Sequence, residues 1–337
     1  MMLSDIIRLK DNRVSWKIPS LFDNDWVALH LSHALSPILN KPLFDIAYGS
    51  PLCAWAGGRP PRVTTTLSEE EVRTRLEAYL AVGARCAFTF SHINAGAYTD
   101  DPYCNMLLSL IEEYQGQAIV ADDALARYIR RRHPALKLVC SNVRVVLDHH
   151  NGFLGQDENT YYHSLRGLYD EVVVRTEALL ESGISSELQD MADHIELIVN
   201  ERCARDCPYA AEHIAAMAQA TASARDRDPA EPQPGCIYDQ RRSKPTELVD
   251  NIYVPDERRK YLADKGFTKF KIQGRGASPV WFANTLLTEI LFDGDKLAGQ
   301  EDMQDIITPI ALLQLFNPDS EARLAIPKSG RDINRGL

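Results

Sequence analysis

Short apolar runs of strand length recur along the chain, most of them closed by a polar or glycine-bearing turn. They are Phe44–Tyr48 (FDIAY), Cys86–Phe90 (CAFTF), Gln117–Ala121 (QAIVA), Leu136–Cys140 (LKLVC), Glu171–Arg175 (EVVVR), Ile195–Val199 and Phe267–Gln273 (FTKFKIQ). Helical stretches fall between them. Ser68 with Glu71 three residues later is a capping-box signature for a helix to about Val82. Further helices are expected near Cys104–Glu113, Ala124–Arg132 and Tyr162–Leu168, from Pro208 onward, and from Ser278-Pro279 to about Phe292. Residues 1–42 read as an N-terminal strand or helix pair, with weak alternation at Trp16, Ile18 and Leu21. Strands alternating with helices predict a parallel sheet with crossover helices. Seven or eight such units over about 250 residues fit a closed, TIM-like (β/α) barrel, complete or with one unit distorted, better than an open doubly wound sheet. No Gly-x-Gly-x-x-Gly follows the first strand, so nothing specific supports a dinucleotide fold.

Two regions break the rhythm. Residues 221–250 are charged, carry Pro229, Pro232, Pro234 and Pro245, and contain Cys236. So long a loop in a compact domain is usually functional or disordered, and the cysteine favours a functional lid. Residues 293–337 hold one apolar run, Ile306–Phe316, between polar ends. The expected organisation is a barrel domain over residues 1–292 with a lid loop, and a C-terminal extension packed on it.

Composition narrows the functional classes. A chain of 337 residues, 45% hydrophobic and 25% charged, has ample core for one large domain. A net charge of −10 argues against nucleic acid as a ligand, because phosphate-backbone binding needs a basic face. No run of 18 apolar residues occurs, and the start lacks the apolar core of a signal peptide, so no membrane is expected and the cytoplasm is the expected location. In that reducing compartment the seven cysteines read as buried thiols or metal ligands rather than disulfides.

In a barrel, residues just after the strands converge on one mouth, where barrel active sites lie. Those positions are conspicuously polar: His92 and Asn94, Asp122, Ser141 and Asn142, Arg175, Asn200 and Glu201, and Gln273 to Arg275. Glu201 is placed to act as a general acid or base or to bind a cation, and Arg275 to clamp an anion. Cys203 and Cys207 form a C-x3-C pair, and Cys236 lies in the proline-rich loop. Pro208 at a first helical position would make Cys207 the N-cap, where a thiolate faces the positive end of the helix. Three thiolates near one mouth suit an iron–sulfur cluster or zinc, and the alternative is buried or incidental cysteines. Cys53, after the first of these runs, and His213, on the following helix, are candidates for a fourth ligand. Cys86 and Cys140, within strands, read as core.

Val199-Asn200-Glu201 with Cys203, Cys207-Pro208 and His213, followed by Lys269-Phe270-Lys271-Ile272-Gln273-Gly274-Arg275, resembles the peptidase U32 (collagenase-like protease) family. That family has a hallmark close to F-K-I-E-G-R, and this chain has Gln273 where glutamate is usual. The resemblance spans roughly residues 40–292. It implies a barrel-like fold. It also implies the iron–sulfur members of oxygen-independent hydroxylation, which hold a [4Fe–4S] cluster on four cysteines. This chain offers Cys203, Cys207 and Cys236 in the corresponding region and no cysteine beyond. The leading expectation is an iron–sulfur enzyme that modifies a small organic substrate by oxygen-independent hydroxylation. Glu201 and His92 would be catalytic, and Arg275, Arg175, Asn200 and Asn94 would bind substrate. The alternatives are a metal-dependent hydrolase, for which no G-x-S-x-G or H-E-x-x-H is present, and a non-catalytic cluster-carrying subunit of a protein partner or homo-oligomer.

Overall fold

Side chains alternate between two environments along every strand, and that alternation builds the molecule. The computed structural model describes residues 9–57, 66–152, 158–174, 176, 179, 183–201, 209–222, 254–274 and 279–291. Among these, eight parallel strands close into a barrel in sequence order. They are β1 (Ser15–Ile18), β2 (Ile46–Gly49), β3 (Arg85–Phe90), β4 (Gln117–Val120), β5 (Lys137–Cys140), β6 (Glu171–Val174), β7 (Ile195–Ile198) and β8 (Lys269–Lys271). The seven expected strands all form. The eighth is β1, which pairs Trp16 with Phe270 of β8 and Lys17 with Ile46 of β2, completing the ring.

Outward-facing residues such as Trp16, Phe88, Phe90, Val120, Leu138, Val172, Leu197 and Phe270 join one large core under the helices. Cys86 and Cys140 belong to it, as their strand positions predict. Inward-facing Tyr48, Ala87, Ile119, Val139, Val173 and Ile198 form a second, smaller core inside the barrel.

The helices carry the start signals the sequence supplies. They are α1 (Asp25–Leu39), α2 (Glu69–Ala81), α3 (Pro102–Glu113), α4 (Asp123–Arg132), α5 (Asn142–His150), α6 (Glu158–Leu165), α7 (Ser186–Asp190), α8 (Ala210–Ala222), α9 (Asp256–Asp264) and α10 (Pro279–Ile290). Ser68 and Glu71 form the reciprocal capping box of α2: Ser68 Oγ accepts from Glu71 N at 3.3 Å, and Glu71 Oε2 accepts from Ser68 N at 2.8 Å. Asp101, Asp122 and Ser141 cap α3, α4 and α5 in the same way, one side-chain oxygen satisfying one orphan N–H. Helix α5 was not expected from sequence. The Ser141 cap is the feature that announces it.

The barrel interior also carries charge, from the first residue of β6, Glu171, to the last of β8, Lys271. Lys17 Nζ donates to Gln117 at 2.9 Å, lies 3.4 Å from Glu171 and pairs with Glu196. Lys271 Nζ is 2.9 Å from Glu196 and 4.4 Å from the centroid of the Tyr48 ring. Glu171 also accepts from Lys137 at 2.8 Å. Burial works against the Glu171 carboxylate, but Lys17 and Lys269 outweigh it and hold its pKa at about 2. Burial likewise opposes the Lys17 ammonium, and Glu196 and Glu171 reverse the effect, leaving its pKa above the ordinary lysine value.

The lid expected at 221–250 and the extension at 293–337 lie outside the described residues, except that α8 runs to Ala222. No helix among the described residues is long and apolar enough to cross a membrane.

Candidate active site at the barrel mouth

At the far end of the same strands the polar residues are arranged differently. His92 follows β3 and is buried, with 5% of its surface exposed. Its backbone N–H donates to Trp55 O at 3.0 Å, which fixes the end of β3 under the 51–57 turn. That turn comes so close that a Cβ on Gly57 would lie 2.3 Å from Ser91 and His92 backbone atoms. The ring nitrogen Nδ1 accepts from Asn94 N at 3.0 Å, so the neutral ring carries its proton on Nε2. Burial pulls the His92 pKa below the ordinary histidine value, with Asp122 acting in the opposite direction. The ring is therefore neutral at pH 7. The Tyr98 ring stands edge-on to it at 5.8 Å.

Asp122, after β4, has two tasks. One oxygen caps α4 at Ala124 N, and the other accepts from Gly96 N at 2.6 Å, tying the 3-10 turn Ala95–Tyr98 to the neighbouring unit. Asn142, after β5, donates from Nδ2 to Glu201 Oε1 at 3.2 Å. This bond joins the β5 and β7 ends across the intervening β6 and orients the Glu201 carboxylate, which is only partly buried. Thr176, after β6, donates to Ile198 O at 2.8 Å.

Asn200 and Gln273 lock β7 to β8. Gln273 N donates to Asn200 Oδ1 at 2.6 Å, and Asn200 Nδ2 donates to Gln273 O at 3.0 Å. With both ends of its amide engaged by backbone and 1% of its surface exposed, Asn200 splices two strand ends. Asn94 is exposed and contributes its backbone N–H to His92. Gly274 lies against α10, where a Cβ would stand 2.7 Å from the Trp281 ring.

Of the residues expected at the site, His92, Asn94, Asn200 and Glu201 all follow strands at this mouth. Arg175, Arg275, Cys203, Cys207 and Cys236 lie outside the described residues. Helix α8 begins at Ala210, and the segment 202–208 between Glu201 and Tyr209 carries the C-x3-C pair. Among the described residues no three His, Cys, Asp or Glu side chains stand together so as to hold a metal ion. His213 sits in the first turn of α8, its N–H donating to Tyr209 O at 2.9 Å. The link from Asn142 to Glu201 has a sequence signal only in hindsight: both directly follow polar strand ends, two strands apart.

No family model matches the chain, and no curated protein matches it. Among solved structures it is similar to the U32 peptidase Mk0906, with 18% sequence identity and a TM-score of 0.48 over 79% of this chain and 94% of that chain.

Proposed function

We propose that this chain is an enzyme of the U32-like type that modifies a small organic substrate at the C-terminal mouth of its barrel. Cys203, Cys207 and Cys236 would hold an iron–sulfur cluster. The observation that carries the reading is Glu201, a carboxylate oriented by Asn142 at the mouth and two residues ahead of the first cysteine. The cysteine segment thus departs from the same strand end as the group best placed to move protons. The soft donor set suits an iron–sulfur centre better than a hard cation. When bound, such a centre would take up electrons from the substrate and offer iron as a binding point for it. Glu201 would give or take the proton at the reacting group. His92, neutral with its proton on Nε2, would donate a hydrogen bond, and Arg275 and Arg175 would pair with an anionic part of the substrate. Oxygen-independent hydroxylation is the reaction this assembly and the sequence resemblance favour.

The test is iron and sulfide content with an absorption spectrum, on protein purified without oxygen. The reading expects stoichiometric iron and sulfide, lost together in Cys203→Ala, Cys207→Ala and Cys236→Ala. Glu201→Gln should keep the iron and lower turnover about 10²–10⁴-fold, the usual range for removing a general acid or base. Full iron in the Cys236→Ala protein would sink the three-cysteine centre. Bound zinc in place of iron would favour a metal-assisted hydrolase.

A further inference from the structure

Several barrel strands open on a polar residue. Arg85, Gln117, Lys137, Glu171 and Lys269 are the first residues of β3, β4, β5, β6 and β8. The first four stand two positions before Ala87, Ile119, Val139 and Val173 of the inner core, so strand alternation puts them on the inward face. Lys269 stands in the same relation to Lys271, which lies against inward-facing Tyr48. Together they make a polar layer at the strand starts, and the inner core lies between that layer and the mouth.

The layer carries more positive charge than it neutralises. Lys137 and Lys269 both converge on Glu171 Oε1, and Lys17 lies 3.4 Å from Glu171 Oε2. Lys17 also pairs with Glu196, which Lys271 shares at 2.9 Å. Arg85 is exposed, and among the described residues its guanidinium has no hydrogen bond or ion pair. Other acids at this end are turned elsewhere. Asp45 accepts from Trp16 N at 2.8 Å, and Asp170 accepts from Leu138 N at 2.7 Å and from Arg130 at 2.8 Å. Asp193 offers Lys269 its backbone carbonyl rather than its carboxylate. Lys17, Arg85, Lys137 and Lys269 are thus set against Glu171 and a shared Glu196, in a chain whose net charge is −10.

Gln117 supplies a second, independent observation. It is 7% exposed, its register partner on β5 is Lys137, and its Oε1 accepts from Lys17 Nζ at 2.9 Å. An ammonium only donates, so that bond fixes the orientation of the amide and turns Nε2 the other way. Among the described residues Nε2 has no hydrogen-bond partner. A nearly buried amide donor left open beside surplus positive charge calls for an acceptor from outside the chain.

We propose that the strand-start end of the barrel binds a phosphate-type oxyanion, held by Arg85, Lys137, Lys269 and the Gln117 amide. Arg85 pairs two oxygens through its planar fork, the lysines act as point charges, and Gln117 Nε2 donates to a further oxygen. A dianion matches the surplus better than a monocarboxylate does. The packed walls around the layer strengthen its pull, because a cleft lined by one sign of charge focuses the field. The inner core separates this site from the mouth, so its ligand is not the substrate handled there.

The experiment titrates inorganic phosphate into the full chain by calorimetry, with acetate as the carboxylate arm. Phosphate should bind saturably at one site, and acetate at least about tenfold more weakly. Arg85→Ala should weaken phosphate binding about tenfold or more, the loss of a charge-assisted contact. Gln117→Glu keeps an oxygen for Lys17 but puts a negative charge in place of the donor, and should abolish binding. Arg275→Ala, at the expected mouth site, should bind phosphate as the native chain does. The proposal is overturned if millimolar phosphate shows no saturable binding, if acetate binds as tightly, or if Arg85→Ala or Gln117→Glu binds normally. Binding lost in Arg275→Ala but kept in Arg85→Ala overturns it too, since the anion would then sit at the mouth. Should Gln117→Glu fail to fold, the exposed Arg85→Ala decides alone.

Discussion

The inside of this barrel and its mouth handle buried polarity in opposite ways. Inside, Lys17, Lys271, Glu171 and Glu196 are full charges that find one another. At the strand ends, Asn200, Asp122 and Thr176 bond mostly to backbone, and among the described residues Asn142 and Glu201 form a side-chain pair at the mouth. A closed set of charges resists the loss of any one member, because the remaining charge has no water to turn to. A set anchored to backbone leaves a carboxylate such as Glu201 free to be changed without unmaking the fold. The interior set therefore bears on stability, and the mouth is where the proposed chemistry would take place.

The sharpest way to break this contrast is Glu196→Ala. It removes the carboxylate shared by two buried ammonium groups, and urea unfolding should show a loss of about 3–5 kcal/mol. A loss below about 1 kcal/mol would mean that water already reaches the network. Next in size is the acid response. Glu171 has a folded pKa of about 2 against an ordinary 4.5, so its stabilisation is complete above about pH 4.5 and disappears as pH falls through 2. The change is on the order of 3 kcal/mol. Lys17 adds nothing in that window, since its raised pKa matters only on the alkaline side. Stability measured from pH 6 to 2 should fall less steeply in Glu171→Gln than in the native chain.

How much of this was legible in the sequence follows from the same contrast. The outward faces of the strands are apolar, so runs such as FDIAY, CAFTF and EVVVR gave away seven strands and the barrel. β1 stayed ambiguous because its inward residue is Lys17; in Trp-Lys-Ile a charge sits where a core position is expected to be apolar. Glu196 in IELI and Lys271 in KFK are the same signal, charges at alternate positions within strands, and they match only once the ring is closed. The mouth was legible as a list of strand-end residues, but not as pairs. Asn142 to Glu201 and Asn200 to Gln273 are contacts between units far apart in sequence, and no local pattern encodes them.

Smaller effects sharpen the picture of the mouth. Asn200→Ala removes both bonds to the Gln273 backbone and should cost about 1–3 kcal/mol, the penalty for unpaired buried groups, measured by thermal or urea unfolding. Asn200→Asp keeps the acceptor for Gln273 N and should lose less. The smallest change in stability belongs to Asn142→Ala, within about 1 kcal/mol, because its partner Glu201 is only partly buried. If Asn142→Ala proved as damaging as Glu196→Ala, the division between a load-carrying interior and a tolerant mouth would fail. His92 gives a check without mutation. Its ring should titrate below the ordinary histidine range by NMR, and its contribution to stability, complete above about pH 6.5, should decline on acidification.

The seam between β1 and β8 has a consequence for how the chain comes off the ribosome. β1 is made long before β8, the last strand of the barrel, and Ser15, Trp16 and Lys17 wait unpaired on that side until Lys269, Phe270 and Lys271 emerge. During synthesis the growing sheet therefore has an open edge, the kind of surface on which nascent chains stick to each other. Lys17 stands in the middle of that edge, 154 residues ahead of Glu171. Before its partners arrive, a bare lysine deters a second chain from docking there; afterwards, the same ammonium becomes the latch of the closed ring. One residue thus guards the unfinished protein and fastens the finished one.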